Sequence, residues 1–484
     1  MRRVLVGLLS LPISAILFVL SLPPAGWWPL GWIAFVPVLA AVRRTRFIVG
    51  FLAGIGTALL SAVGAVSGVL YRNPSPGGEP HWIYLGFFLF GCALSVVAGV
   101  AAESKEIKRL GVLALAALAV LLEASLQVIL PATHALSQSR VPAMLQLASV
   151  TGIWGVSFVL WVSNLGIAEA VRRRQIQALR PALPVAAIVV LGFFLWNDGS
   201  SSRSAIPVKM VQSESEDLEE LRRLSGEGDG IAVWREFGGQ MHAPRGDTKA
   251  LQEVSAKSGV PAILTSYQDG YEPLPHNTAA MFYRGKVSQP YFKRRLFGAE
   301  SKMHTPGTAP AAAERDPGGS RVGMNICFDT CFPSIIRDTA NLDRVELIAV
   351  PTIDPASPHQ FLAAIHAAYT PFRAVENGVS VVRVDGNAFS MAVDASGRVV
   401  SEMGIGQESR GVMVPTARRW TLYRWLGDWF LFACAAVLVA WISERIRRAR
   451  GAERAREASF TESLSREPLL PETDRRPTES LSQG

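Results

Sequence analysis

Apolar positions divide the 484-residue chain into three unequal stretches. Residues 4–196 are almost unbroken hydrophobic blocks, 205–415 mix polar and apolar positions, and 423–442 is apolar again. A bilayer core is about 30 Å thick, so a spanning helix needs about 20 mostly apolar residues. Segments of that kind before the mixed stretch are 4–22, 25–42, 48–70, 82–102, 110–131, 143–170 and 181–197; an eighth is 423–442. Arg2 and Arg3 precede an apolar run, as in a signal peptide, but no A-x-A-like site follows, so 4–22 is expected to be a retained helix. Within 205–415 the runs 207–211, 230–234, 262–266, 279–283, 321–326, 346–351, 379–384 and 390–393 read as strands, and 215–224, 247–257, 332–339 and 360–376 as helices. Such alternation predicts a layered α/β domain, and its nearly all-apolar strands predict sheets covered by helices.

Charge adds an orientation. The formal net charge is +8, and the arginines and lysines gather at Arg2–Arg3, Arg43–Arg46, Lys105–Arg109, Arg172–Arg174 with Arg180, and Arg445–Arg450. Cytoplasmic loops collect Lys and Arg. These segments fall at every second loop, which predicts a cytoplasmic N-terminus, seven crossings, an outer domain over 198–422, and an eighth helix returning the C-terminus inside. The expected domains are 1–200 (membrane), 201–420 (periplasmic, catalytic), 421–445 (C-terminal membrane helix) and 446–484 (disordered cytoplasmic tail). The positive charge is thus topological. No basic–aromatic interleaving is present, so nucleic acid is not an expected partner; the lipid bilayer is.

Three strand-like runs end in residues with chemical potential: IAVWREFGG gives Glu236, YFKRRLFGAES gives Lys293 and Glu300, and VGMNICFDTCFP gives Cys327. A carboxylate, an ammonium and a thiol make a workable acyl-transfer set. The acid takes the thiol proton, and the ammonium stabilises first thiolate and then oxyanion. Each residue alone has a plainer reading. Free cysteine is among the most buried residue types, and Cys327 and Cys331 are spaced so that a bent segment in an oxidising compartment would let them pair. Glu236 alone could be a solvated acid, and Lys293 lies in a basic KRR run. No paired cysteine or spaced histidine motif predicts a metal site. Cys92 and Cys434 read as packing residues, and His276 and His366 as local hydrogen-bonders. Glu123, inside the apolar run LLEASLQ, reads equally as a functional acid or as one satisfied by a neighbouring helix.

The three contexts, in this order, resemble the Glu-Lys-Cys contexts of the nitrilase superfamily. FRAVENGVSVVRVDGNAFSMAVDASGRVV (372–400) is similar to that superfamily's R-A-x-E-N segment and closing hairpin. The membrane segments SLPPAGWWPLGWIAFVPVLAA (21–41), LQLASVTGIWGVSFVLWVSN (145–164) and TLYRWLGDWFLFACAAVL (421–438) are similar to those of the apolipoprotein N-acyltransferase family. The resemblance covers about residues 10–442. It implies an α-helical membrane bundle of eight transmembrane helices joined to a nitrilase-like αββα sandwich. It also implies a bacterial inner-membrane enzyme, expected as a monomer. Such an enzyme moves a fatty acyl chain from a phospholipid, through a Cys327 thioester, to the α-amino group of a diacylglyceryl apolipoprotein. By resemblance Glu236, Lys293 and Cys327 are catalytic, and Glu300, Phe328, Asp329, Arg373, Glu376 and Asn377 support them. No metal or diffusible cofactor is implied. The family's W-P-E is here Trp234-Arg235-Glu236, its C-Y-E is Cys327-Phe328-Asp329, and the loop between Lys293 and Glu300 is one residue shorter. A membrane-tethered amidohydrolase and a weakened scaffold paralogue are the competing readings.

Overall fold

The computed structural model describes residues 2–66, 81–104, 107, 109–174, 204–239, 248–270, 273–314, 321–354, 360–416 and 418–465. One compact unit is Met1–Val437; Leu438–Gly484 forms a second, containing the distal part of a long helix.

The N-terminal stretch folds as α1 (Arg2–Ser21), α2 (Val36–Ala41), α3 (Phe47–Val66), α4 (His81–Glu103), α5 (Arg109–Leu126), α6 (Pro142–Thr151) and α7 (Ile153–Arg173). Among the described residues, five helices are long and apolar enough to cross a membrane: α3, α4 from Trp82, α5, α7 and the C-terminal helix from Trp429. The apolar part of α1, Gly7–Ser21, is shorter, and the expected segment 181–197 lies outside the described residues.

Two expected spans are broken. Segment 25–42 is a 3-10 turn (Trp28–Trp32) followed by the short α2, because Pro29, Pro37 and the Pro23-Pro24 pair interrupt helical bonding. Its freed backbone groups are met by side chains, as an apolar setting requires. The Phe35 N–H donates to Asn164 Oδ1 (2.7 Å), the Val38 N–H donates to Ser14 Oγ (3.1 Å), and Asn164 Nδ2 donates to the Gly31 carbonyl (2.9 Å). Segment 143–170 divides at Gly152, whose φ of 68° is left-handed. Elsewhere small residues bring helices close. A Cβ on Gly50 would lie 2.4 Å from the Ala98 carbonyl oxygen, and one on Gly54 would lie 2.5 Å from the Ser95 Cα, so α3 and α4 pack almost backbone to backbone. Glu123 is a satisfied acid, accepting from Thr133, Ser157 and Trp161.

The middle stretch is a two-sheet sandwich. Its strands are β1 (Ala205–Gln212), β2 (Ile231–Trp234), β3 (Ala262–Asp269), β4 (His276–Tyr283), β5 (Lys286–Val287), β6 (Tyr291–Phe292), β7 (Ala311–Glu314), β8 (Arg321–Met324), β9 (Val345–Pro351), β10 (Ser380–Val384), β11 (Ser390–Val393), β12 (Val399–Met403) and β13 (Glu408–Pro415). One sheet runs β13-β1-β2-β3-β4-β5 with β6 beside β4; the other runs β12-β11-β10-β9-β8-β7. The centres of both are parallel, β1-β2-β3 and β8-β9-β10. Met210, Val233 and Leu264 of the first sheet share a core with Met324, Leu347 and Val382 of the second. Helices α8 (Leu218–Ser225) and α9 (Lys249–Ala256) cover the first sheet, with Leu221 and Leu251 against Trp234 and Ile263. Helices α10 (Pro333–Ala340), α11 (Gln360–Ala367) and α12 (Tyr369–Asn377) pack on the second, where Ile336 and Ala374 meet Ile348 and Val381. The layers are therefore αββα. The chain continues through α13 (Leu422–Leu426) into α14 (Trp429–Ser465).

The helical and sandwich parts of the first unit touch directly. Phe87 of α4 stacks on Phe361 of α11 with ring centroids 5.6 Å apart, and Gln127 Nε2 donates to the Cys331 carbonyl at 2.7 Å.

Candidate active site

Side chains gather where central strands of both sheets end. Glu236 follows β2, Lys293 follows β6, Cys327 lies just past β8 and Asp354 just past β9. Register places them, since parallel strands bring their C-terminal ends, and the loops leaving them, to one edge.

Lys293 is the hub. Its Nζ lies 2.9 Å from Glu236 Oε1, and 2.9 and 2.7 Å from the two Glu300 oxygens. All three are largely buried, with side-chain exposures of 2% for Lys293, 2% for Glu236 and 12% for Glu300. Asn277 Nδ2 donates to both carboxylates, at 2.6 Å to Glu236 and 2.8 Å to Glu300. The Ile353 N–H donates to Glu236 Oε2 at 3.1 Å. Burial raises the Glu236 pKa, and Lys293 only partly opposes it. At Glu300 burial pushes the same way, but the Lys293 ammonium and the Phe297 N–H win and the pKa falls. For Lys293 burial favours the neutral amine, yet Glu236, Cys327 and Glu300 outweigh it and hold the ammonium. The shortened loop thus still brings Glu300 to Lys293, through a 3-10 turn over Gly298–Lys302.

Cys327 opens a second 3-10 turn, Cys327–Cys331, with φ of 47°, an uncommon conformation for a residue bearing a Cβ. Burial, then Glu236, raises the thiol pKa well above its usual value, while Lys293 pulls it down. The resting group is therefore a thiol under the opposing influence of Glu236 and Lys293. Cys327 and Cys331 are both free. Asp329 ties this turn to the lysine segment. It accepts from the Ile326 N–H (3.0 Å) on one side, and from the Arg294 N–H (3.2 Å), the Arg295 N–H (2.9 Å) and the Tyr291 hydroxyl (2.7 Å) on the other. Phe328 packs between Phe297 and Phe332, with centroids 4.8 and 5.1 Å away.

An apolar cleft opens beside the thiol. Phe18, Trp82 and Phe90 line it from the membrane-type helices, and Cys327, Phe328 and Phe361 from the sandwich.

Arg373, Glu376 and Asn377 lie elsewhere. Glu376 pairs with Arg373 at 3.0 Å and accepts from the Ile153 N–H at 2.8 Å, so it caps the first turn of α7. Asn377 Nδ2 donates to the Arg373 carbonyl at 2.9 Å. Of the three, Glu376 makes the bond that joins the sandwich to the helices, with Arg373 as its ion-pair partner.

Asp354, His366, Arg383 and Asn277 enter the site without a sequence signal having singled them out as chemical. For Asp354 a signal existed: VELIAVPTID is another apolar strand running into a polar residue. His366 Nδ1 lies 2.9 and 3.0 Å from the Asp354 oxygens, and Arg383 pairs with Asp354. Cys327, Asp354 and His366 present donor atoms within 4.8 Å of one another, a spacing a small metal site would share. Both imidazole nitrogens and both Asp354 oxygens already have protein partners.

Comparison with known proteins gives the arrangement its context. Residues 14–166 match the model of the apolipoprotein N-acyltransferase N-terminal domain, and residues 232–425 match that of carbon-nitrogen hydrolase. The chain is 26% identical over 500 residues to an apolipoprotein N-acyltransferase of Geobacter metallireducens, covering 88% of this chain and 92% of that protein. It is 24% identical over 344 residues to an apolipoprotein N-acyltransferase of Thermotoga maritima, covering 64% of each. The crystal structure of an amidase from Nesterenkonia sp. aligns with 46% of this chain and 95% of its own, at 22% identity and a TM-score of 0.37. An N-acyltransferase helical part followed by a carbon-nitrogen hydrolase sandwich, matched together along most of one relative, means that this chain belongs to the apolipoprotein N-acyltransferase family.

Proposed function

We propose that this chain is a phospholipid:apolipoprotein N-acyltransferase working through a Cys327 thioester. The observation that carries this reading is the apolar cleft, which runs from the membrane-type helices to the thiol. A fatty acyl chain held there never enters water, a transfer that would cost about 0.8 kcal/mol per CH₂.

The steps follow from the charges in place. Glu236 takes the Cys327 proton as sulfur attacks the phospholipid ester carbon. Lys293 and the backbone N–H of Phe328 hold the developing oxyanion. When the tetrahedral adduct collapses, its C–O bond breaks, Glu236 returns the proton to the leaving lysophospholipid oxygen, and a thioester remains. The α-amino group of a diacylglyceryl-cysteine then attacks the thioester, Glu236 accepts the amine proton, and the amide forms. Protonation of the departing thiolate by Glu236 restores the start. Glu300 shares the ammonium of Lys293 and so keeps it charged and aimed.

The family fits a bacterial inner-membrane protein. The domain bounds 1–200, 201–420, 421–445 and 446–484 belong to this proposal, as does the placing of the sandwich on the periplasmic side. Support for the orientation comes from the alternation of basic loops.

Intact-mass spectrometry of the detergent-purified protein tests the chemistry, with wild type beside Cys327→Ala and phospholipid supplied. A fatty-acyl mass on wild type alone, removed by hydroxylamine, is expected. Continuous fatty-acid release without an amine acceptor would instead mark a hydrolase.

A further inference from the structure

His366 has no part in the steps above, yet it lies against the nucleophile. It is buried on α11, with 7% of its surface exposed. The charged and titratable groups around it are Asp354, Arg383, Asp385, Cys327 and Cys331.

Hydrogen-bond direction determines its protonation. The two Asp354 oxygens at Nδ1 belong to a carboxylate paired with Arg383, and a carboxylate only accepts, so Nδ1 carries a hydrogen. Arg383 Nη2 also lies 3.3 Å from Nδ1, but it is directed to Asp354 and Asp385, and the carboxylate oxygens are nearer. On the other side, Nε2 lies 3.1 Å from the Cys327 carbonyl oxygen and 3.0 Å from Thr330 Oγ1. The Thr330 hydroxyl uses its one hydrogen on that same carbonyl at 2.8 Å. Both groups can therefore only accept from Nε2, which carries a hydrogen too. An imidazole protonated on both nitrogens is a cation.

We infer that His366 is a constitutively protonated positioning residue, whose imidazolium clamps the Cys327 carbonyl and sets a second cation, besides Lys293, next to the thiol. The clamp explains how Cys327 holds its left-handed φ of 47°, because its carbonyl is fixed by two donors. The ring lies within 4.8 Å of the sulfur, as does the Asp354 carboxylate, so the cation favours the thiolate and offsets the rise in thiol pKa that Asp354 alone would cause. Asp354 is what keeps the cation: burial alone would lower the imidazole pKa, and the carboxylate carries it up to about 10 instead.

The inference rests on Cys327 being the nucleophile but not on acyl transfer, and the test separates the two. Alkylation of Cys327 by iodoacetamide is followed against pH on the full chain in detergent. Fragment-ion mass spectrometry counts Cys327 apart from Cys92, Cys331 and Cys434. His366→Gln retains an amide donor for the carbonyl and loses the charge. It is expected to raise the midpoint for alkylation by about one pH unit and to slow the neutral-pH reaction about tenfold. An unchanged midpoint on a reactive thiol overturns the inference and leaves the acyl-transfer reading standing. A shifted midpoint in a protein that never forms an acyl-enzyme supports the inference and removes that reading. A second measurement needs no variant: ¹⁵N-histidine spectra of the wild-type protein at neutral pH should show both His366 nitrogens protonated. A ring with one bare nitrogen overturns the inference.

Discussion

Lys293 shows how one residue organises this site. Three carboxylate contacts converge on a single ammonium buried to 2% exposure, and each partner's charge state depends on it. Lys293→Met leaves Glu236 and Glu300 sharing Asn277 with no cation between them. Removing one member of a buried ion pair costs about 3–5 kcal/mol, and here Glu236 can relieve part of that by taking a proton. The variant is expected to fold with a lowered thermal midpoint and to form no thioester. Normal acylation of Lys293→Met, read by intact mass, would remove the ammonium from the mechanism. At the same scale, the sequence marks His366 only as a local hydrogen-bonder, because a lone histidine carries no partner in the chain. Its partners Asp354 and Thr330 come from two other segments.

Among the elements, turns and breaks matter more than regular helices and strands. The Cys327–Cys331 turn is tied to the lysine segment by one carboxylate, Asp329, which bonds the backbone on both sides and so fixes the thiol's segment against the ammonium's. The break at Gly152 is as specific. A Cβ there would lie 2.6 Å from the Tyr423 ring, on a backbone with φ of 68°. Gly152→Ala should therefore destabilise by about 1–3 kcal/mol through overpacking, with left-handed strain added. The measurement is the thermal midpoint of the purified variant in detergent. A wild-type midpoint would mean that the joint between α6, α7 and α13 is looser than its contacts indicate. Helix α7 also borrows its N-terminal cap from Glu376 of the sandwich, an assignment no local pattern in R-A-x-E-N would suggest.

In the whole molecule, the helices and the sandwich jointly build the cleft: the sandwich supplies the thiol and the apolar residues beside it, and the helices supply the rest of the apolar lining. That division suits a reaction whose substrates stay in a bilayer while the bond changes occur at its edge. The topology proposed for this arrangement has both chain ends in the cytoplasm. A reporter fused after Gly484 should be active only as a cytoplasmic reporter, and periplasmic activity would overturn the assigned orientation.

The sequence by itself determined the two-part architecture. Long apolar blocks, and alternating β and α runs with apolar strands, follow from elementary periodicity and need no partner to be read. It also carried the residues at three strand ends, because a polar side chain closing an apolar strand is visible locally. Tertiary structure alone decided the rest. It broke two expected spans at proline and glycine, since side chains from distant helices, Ser14 and Asn164, could satisfy the exposed backbone. It brought Glu300 to Lys293 across a shortened loop, and it put Glu376, paired with Arg373, at the joint between the two parts. It set His366 beside Cys327, 39 positions away in the chain. Hydrogen bonds and ion pairs of that kind depend on distances in space, which strand register and helix packing create and which residue order does not contain.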